Sequence, residues 1–512
     1  MNGARALLST FVLNDVTVCF ANPGTSEMQF VAALDAEPRM RSILCLFEGV
    51  ATGAADGYAR MADKPACTLL HLGPGYSNGA ANLHNARRAY SPIVNVIGDH
   101  ATYHRQYDAP LNSDIAALAK PNSLWLKSAD TPDSVAPLAA EAITASYGAP
   151  RGPVSLILPA DSAWLPTESA PVVAERPVPA IVLESTIDAV ARAIQGASKP
   201  VVLLGGRACL ADSLAPAARI AAAGIAVYCD TFVSRQPRGA GVFLPKKLPY
   251  FGEQALAELE GADLLVLVGT SAPVSFFAYP DRPSLLVPEG CRIETLAARF
   301  EDAADALAAL AQALSAPAEG PAQPLALPAA PSGALNPRAA AISIARHMPE
   351  GTILCDDAVT SGTAIMKATT TARRHEVLAL TGGAIGIGLP MAIGAAVAKP
   401  DSKVLSLSGD GSAMYTVQSL WTMAREALDI VVVIFANHSY RILNVEMLRT
   451  GAGEPGPAAA NLLELDKPKI DWVALAQAQG LPAVRCETAE HFDEAFADAM
   501  ARRGPMLIEA AI

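Results

Sequence analysis

The apolar run KVLSLS, residues 403–408, ends in Gly409-Asp410-Gly411-Ser412, and a second run, 430–436, ends at Asn437. A carboxylate and an amide at two strand ends are hard oxygen ligands, suited to Mg²⁺ or Ca²⁺ rather than zinc. A right-handed crossover makes the strands parallel and brings Asp410 and Asn437 to one sheet edge. The glycines admit a ligand close to the backbone. The helix expected after Ser412 would carry Val417, Leu420, Trp421, Ala424 and Leu428 on one face. Its first turn offers free N–H groups to an anion. Together these describe a site for a divalent cation bridged to a diphosphate. A plain strand-to-helix turn with Asp410 as N-cap is the simpler alternative; the helix, strand and Asn that follow in order speak against it.

A second carboxylate, Glu48 in CLFEGVATGAADGYAR, stands among small and apolar residues. Burying it without a partner would be costly. Alone, it reads as well as a Glu on an exposed helix end. His71 closes the run ACTLLHL before Gly-Pro-Gly. An imidazole there can relay protons; a structural His is the alternative. His100 and His104, in GDHATYHRQYD, also follow a strand end and rank below it. In ANPGTSEMQFVAAL, Ser26 and Gln29 predict a capping box, and the backbone N–H groups there could hold a carboxylate.

These residues need a frame that presents strand ends. The chain has 512 residues, enough for about three domains at ~150 residues each. Hydrophobic residues make up 51% and charged residues 17%, which suits large cores and excludes disorder. Two Pro-rich stretches, 165–180 and 314–337, read as extended linkers. They separate three blocks: 1–165, 185–315 and 337–512. Each alternates continuous apolar strands with Ala-rich helices, which predicts three α/β domains built on doubly wound parallel sheets. Ligands in such sheets sit at the carboxyl ends of the strands.

The net charge of −12 and the lack of a basic run exclude a nucleic-acid partner. No apolar stretch is long enough for a membrane span, and no signal-peptide pattern is present, so a cytoplasmic protein is expected. The eight cysteines form no CxxC and read as reduced core residues.

GDGS followed by Asn437 resembles the signature of thiamine-diphosphate (ThDP) enzymes. NPGTSEMQF, FEGVATGAADGYAR, HLGPGYSNGAANLHNA and GGAIGIGLPMAIGAA extend the resemblance over nearly the whole chain. Their order is that of the acetolactate synthase and benzoylformate decarboxylase group. The resemblance implies pyrimidine-binding, middle and diphosphate-binding domains. It implies Mg²⁺ held by Asp410, Asn437 and the Ser439 carbonyl, with Gly409, Gly411, Ser412 and Tyr440 at the cofactor and Thr360 or Ser361 near the diphosphate. Glu48 would contact N1′ of the aminopyrimidine, Gly383 would accept the 4′-amino proton, and Ile385 would sit under the cofactor. Thr25 maps to a carboxylate-binding hydroxyl, and His71 to a catalytic His of benzoylformate decarboxylases.

Two departures are visible. Phe47 stands where many members have His before the Glu. The second catalytic His of benzoylformate decarboxylase is missing from SAPVSFFAYPD, where Phe277 or Ala278 occupies its place and Phe276, Phe277 and Tyr279 could line an apolar pocket. The N-terminal and glycine motifs look closest to the acetolactate synthases, and this resemblance implies decarboxylation of a 2-oxo acid with carboligation to an acetolactate- or acyloin-type product. The alternative is simple decarboxylation to an aldehyde. A homodimer or homotetramer with active sites at the subunit interface is expected, and FAD is expected to be absent or weakly held. A nicotinamide or flavin oxidoreductase, from VVLLGGRACL, and a regulatory homologue without catalysis are the rival readings.

Overall fold

The computed structural model describes residues Met1–Ile512. Three sheets organise the chain, and continuous apolar strands build each of them. The first contains β1 (Val18–Ala21), β2 (Arg41–Leu44), β3 (Ala66–Leu70), β4 (Ile93–Asp99), β5 (Leu126–Ser128) and β6 (Pro153–Pro159), all parallel, in the order β2-β1-β3-β4-β6-β5. β3, β4 and β6 are buried at every position, as strands covered on both faces must be.

The second sheet starts from β7 (Pro200–Leu204) and β8 (Ala226–Cys229). Next in the chain comes β9 (Arg235–Arg238), which leaves this sheet; β10 (Lys246–Lys247), β11 (Leu264–Val268) and β12 (Arg292–Ala297) complete it as β10-β8-β7-β11-β12. The third holds β13 (Thr352–Asp357), β14 (His375–Ala379), β15 (Val404–Gly409), β16 (Ile430–Ala436), β17 (Ala483–Cys486) and β18 (Met506–Ala511), ordered β17-β18-β16-β15-β13-β14-β9. β9, from inside the expected middle block, pairs antiparallel with β14. It covers an edge that would otherwise expose unpaired backbone groups.

The first and third blocks share one core, while the second has its own. The shared core forms where the helix Glu48–Ala62 meets the helix Gly388–Ala398. Glycines set that contact: a Cβ on Gly57 would overlap the Met391 carbonyl, and one on Gly394 would overlap the Ala54 carbonyl. The Asp-Arg pair of ADGYAR locks the junction. Arg60 Nε and Nη2 donate to the two oxygens of Asp56 at 2.8 and 2.6 Å. Its Nη1 donates to the carbonyls of Ser234 at 3.0 Å and Ala379 at 2.7 Å. One guanidinium thus joins all three blocks, and the pair is almost fully buried. Further hydrogen bonds are what make a buried ion pair tolerable.

All eight cysteines are free and seven are buried. No helix is long and apolar enough to cross a membrane.

Candidate active site

Each sheet reverses its strand order near its centre: between β1 and β3, between β7 and β11, and between β13 and β15. At such a point neighbouring strands send their following loops opposite ways and open a crevice. The sequence-predicted residues fall at the first and third.

At the third, β15 and β16 run parallel with Gly409 opposite Phe435, so Asp410 and Asn437 follow adjacent strand ends. Asp410 opens the helix Asp410–Met414 and is buried. Its Oδ1 accepts from the Gly411 N–H at 2.8 Å and its Oδ2 from the His438 N–H at 2.7 Å. Burial raises its carboxyl above the ordinary range, and those two N–H groups work the other way. Asn437 Oδ1 accepts from the Ser439 N–H at 3.0 Å. Tyr440 packs on Gly411, where a Cβ would strike its ring. Carboxylate, amide oxygen and carbonyl in adjacent loops fit a hard divalent cation.

The single helix expected after Ser412 is instead two, Asp410–Met414 and Ser419–Arg425. The first is only a short turn behind the loop; of the expected apolar face Leu420 and Leu428 are buried in the shared core, and Val417 and Ala424 pack against it.

The Gly383–Gly388 turn lies against this group. Gly386 has φ +93° and a Cβ there would be 3.2 Å from the Ser412 carbonyl. Asp357, at the end of β13, fixes the turn: its Oδ2 accepts from the N–H groups of Gly386 at 2.8 Å and Gly388 at 3.2 Å. Its Oδ1 is buried without a partner. From the first block, Asn85 bonds both backbone groups of Ala384, at 2.8 and 3.2 Å. That holds the peptide before Ile385, which is itself half-buried. Phe276 approaches Gly383 from the middle block; a Cβ on Gly383 would stand 2.8 Å from its ring. Phe276 also meets Phe232, Tyr250 and Phe277 at ring-centroid distances of 5.3, 5.4 and 4.7 Å. Ser361 is buried before the helix Gly362–Ala368, while Thr360 is exposed.

At the first crevice, Glu48 begins its helix and is 6% exposed. Its carboxylate accepts from Asn22 Nδ2 at 3.2 Å and from Asn78 Nδ2 at 2.9 Å. His71, after β3, is close by: Glu48 Oε1 and His71 Cβ are both 3.3 Å from the point a Cβ on Gly75 would take. The His71 ring contacts Glu27 and Ser26 rather than Thr25, which is exposed. The expected Ser26–Gln29 capping box is replaced by Gly24 and Glu27, with the Gly24 N–H donating to Glu27 Oε2 at 2.7 Å. Gln29 instead accepts from Asn2. His100 and His104 pack on each other, with centroids 5.3 Å apart, and hydrogen-bond neither Glu48 nor His71.

No hydrogen bond joins the Glu48 group to the Asp410 group within one chain. Sequence reasoning missed Asn22, Glu27, Asn78, Asn85 and Asp357. A signal for three amides was present: Asn78, Asn82 and Asn85 recur at helical spacing, although Asn disfavours helix interiors. They form one polar face, with Asn82 Nδ2 donating to the Gly49 carbonyl at 2.7 Å.

Comparison with known proteins identifies the family of the chain. The model of the N-terminal TPP-binding domain of thiamine pyrophosphate enzymes matches residues 1–118, and that of the C-terminal TPP-binding domain matches 360–510. A Mycobacterium tuberculosis protein, provisionally named acetolactate synthase large subunit IlvX, is 49% identical over 100% of this chain and 99% of its own length. The chain belongs to the thiamine pyrophosphate enzyme family. Benzoylformate decarboxylase of Pseudomonas aeruginosa is 30% identical, with 96% of each chain aligned. The structure of the ThDP-dependent 4-hydroxybenzoylformate decarboxylase of Rhodococcus jostii RHA1 superposes with a TM-score of 0.87 at 26% identity, covering 100% of this chain and 99% of that one. As a member of the acetolactate synthase and benzoylformate decarboxylase branch of this family, the chain is a ThDP-dependent enzyme.

Proposed function

We propose that the enzyme decarboxylates a 2-oxo acid and joins the remaining acyl unit to a second carbonyl, giving an acetolactate- or acyloin-type product. When bound, ThDP supplies the nucleophilic carbon and the electron sink for loss of carbon dioxide. Asp410, Asn437 and the Ser439 carbonyl would hold Mg²⁺, with Gly409, Gly411, Ser412, Tyr440 and Ser361 around the diphosphate. Glu48 would hold the aminopyrimidine through a short hydrogen bond in a dry site. Gly383 would accept from the amino group, with Ile385 beneath the cofactor. The observation that carries the ligation reading is an asymmetry. A proton donor, His71, stands beside Glu48, while the aromatic ring of Phe276 stands at Gly383, in the half of the site that the partner copy would supply. A wall without a second donor slows protonation and leaves time for a second carbonyl.

Release of an aldehyde is the second reading, favoured by His71 itself. Product analysis with ThDP, Mg²⁺ and 2-oxo acids from pyruvate to benzoylformate separates the two. Carbon dioxide with a hydroxyketone supports ligation; carbon dioxide with stoichiometric aldehyde supports simple decarboxylation; no carbon dioxide from the ThDP-loaded protein refutes both.

The middle crevice argues for an enzyme without flavin. Gly205 and Gly206 follow β7 there, but a Cβ on Gly205 would overlap the Asp230 carboxylate. Arg151 and Arg207, in the adjoining cleft, both donate to Asp63 Oδ1, at 2.7 and 2.8 Å. Two carboxylates thus occupy the approach a dinucleotide diphosphate would need. Purified protein with a flavin spectrum would refute this. The enzyme would act as a dimer or tetramer in which Glu48 of one copy faces Asp410 of another. Exposed apolar residues beside each group, Leu46 and Met28 at the first and Met414 and Tyr415 at the third, support such pairing.

A further inference from the structure

We propose that Glu27 is a positioning residue that fixes the tautomer and aim of His71; this deepens the reading of His71 as the proton donor and rests on it. Glu27 is 3% exposed on a short turn, Thr25–Glu27, where a carboxylate is costly to bury without a purpose. Each contact it makes is to a donor. The Gly24 N–H reaches Oε2 at 2.7 Å, His71 Nδ1 reaches the same oxygen at 2.8 Å, and the Ser26 hydroxyl reaches Oε1 at 2.5 Å. Ser26 Oγ also lies 3.2 Å from His71 Nδ1. Ser26 spends its proton on Glu27, so its oxygen faces Nδ1 as an acceptor. Two acceptors converge on one ring nitrogen, and Nδ1 must carry a proton. The other nitrogen, Nε2, has no partner within the chain and is left for the reacting groups.

The backbone is shaped for this pair. A Cβ on Gly24 would overlap the His71 ring, and a Cβ on Gly98, near the end of β4, would overlap the Glu27 carboxylate. Two glycines, one in the loop after β1 and one in β4, thus make room for two side chains that meet. His71 is the residue before its helix, at the end of β3, so its backbone is fixed and only the ring needs orienting. A carboxylate on Nδ1 serves that purpose: it selects which nitrogen is free, and it stabilises the ring whenever both nitrogens are protonated.

The test needs no cofactor for its first readout. Nitrogen-15 NMR of histidine-labelled protein without ThDP, with His71→Ala used to assign the signal, reports which ring nitrogen carries the proton in the neutral form. Protonated Nδ1 and bare Nε2 are expected in the unsubstituted protein; the opposite tautomer there overturns the proposal without any variant. Glu27→Ala should convert the signal to a mixture, and an unchanged signal also overturns it. Glu27→Gln keeps the shape and removes the charge. It should lower kcat on the order of 10-fold with KM little changed, a fraction of the ~10²–10⁴ that positioned proton transfer supplies. A drop in KM-dependent terms alone would mean that Glu27 shapes the pocket and does not serve His71. If the loaded enzyme decarboxylates no 2-oxo acid while the NMR result holds, the functional reading fails and the positioning role stands.

Discussion

Glu48 and Asp410 make an instructive pair. Both are carboxylates that open a helix, both are buried, and both sit at a point where a parallel sheet reverses its strand order. Their surroundings differ. Asp410 is held by backbone N–H groups of Gly411 and His438, which no side-chain change short of proline removes. Glu48 is held by two side-chain amides, Asn22 and Asn78, contributed by other segments of its block. The backbone cradle suits a fixed ligand for a cation. The side-chain cradle suits a group whose hydrogen-bonding strength must be set.

The largest effect should follow from breaking the more rigid site. Asp410→Asn keeps the size but removes the charge a cation needs, and its NH2 group can accept neither of the two N–H bonds, so one of them is lost. Affinity for Mg²⁺ and ThDP together should fall by at least ~100-fold, the upper end of what outer-shell partners of a metal cost. Calorimetric titration of the purified variant checks this, and unchanged binding would remove Asp410 from the metal site. Glu48→Gln should do the reverse. Cofactor binding should persist within a few-fold while turnover drops by roughly 10²–10⁴. Equal losses of binding and turnover would erase the distinction between the two carboxylates.

The sequence showed the first tier of this arrangement and little of the second. Strand ends, helix starts and their chemistry are local: GDGS and the Asn after β16 give Asp410 and Asn437 because period, glycines and crossover handedness are all legible along the chain. The three sheets follow from continuous apolar strands for the same reason. What holds these residues is not local. Asn78 reaches Glu48 across two helices, and Asn85 reaches Ala384 across two blocks. β9 leaves its neighbours for the edge of another sheet. Such contacts depend on packing that no short window specifies. At finer scale, the phase of a three-residue turn decides that the Ser26 hydroxyl faces His71, a contact the sequence does not specify.

A third carboxylate sharpens the comparison. Asp357 accepts two N–H bonds on one oxygen and has none on the other. Burial pushes its pKa from 3.8 up to about 7. A carboxyl raised in the folded state favours folding with its proton on, so its penalty grows as pH rises from 3.8 and levels off above about 7. Asp357→Asn removes that slope. Denaturant midpoints measured across this window should show the variant gaining on the unsubstituted protein as pH rises, and parallel curves would mean that Asp357 is ionised throughout.

The smallest expected effect tests the side-chain cradle itself. Asn78→Ala deletes one of two donors to Glu48 and leaves Asn22 in place. An amide bond to a charged group contributes about 1.5–3 kcal/mol, but the vacated space lies at a crevice that water can enter, and water would replace much of it. Turnover should therefore fall by only about 3–10-fold, with the helix intact because Asn78 is a poor helix former that Ala betters. A thermal midpoint that rises while kcat falls would separate the two roles of Asn78, one toward its helix and one toward Glu48. If kcat does not fall, Asn22 alone sets the carboxylate, and the contrast with Asp410 narrows to a single hydrogen bond.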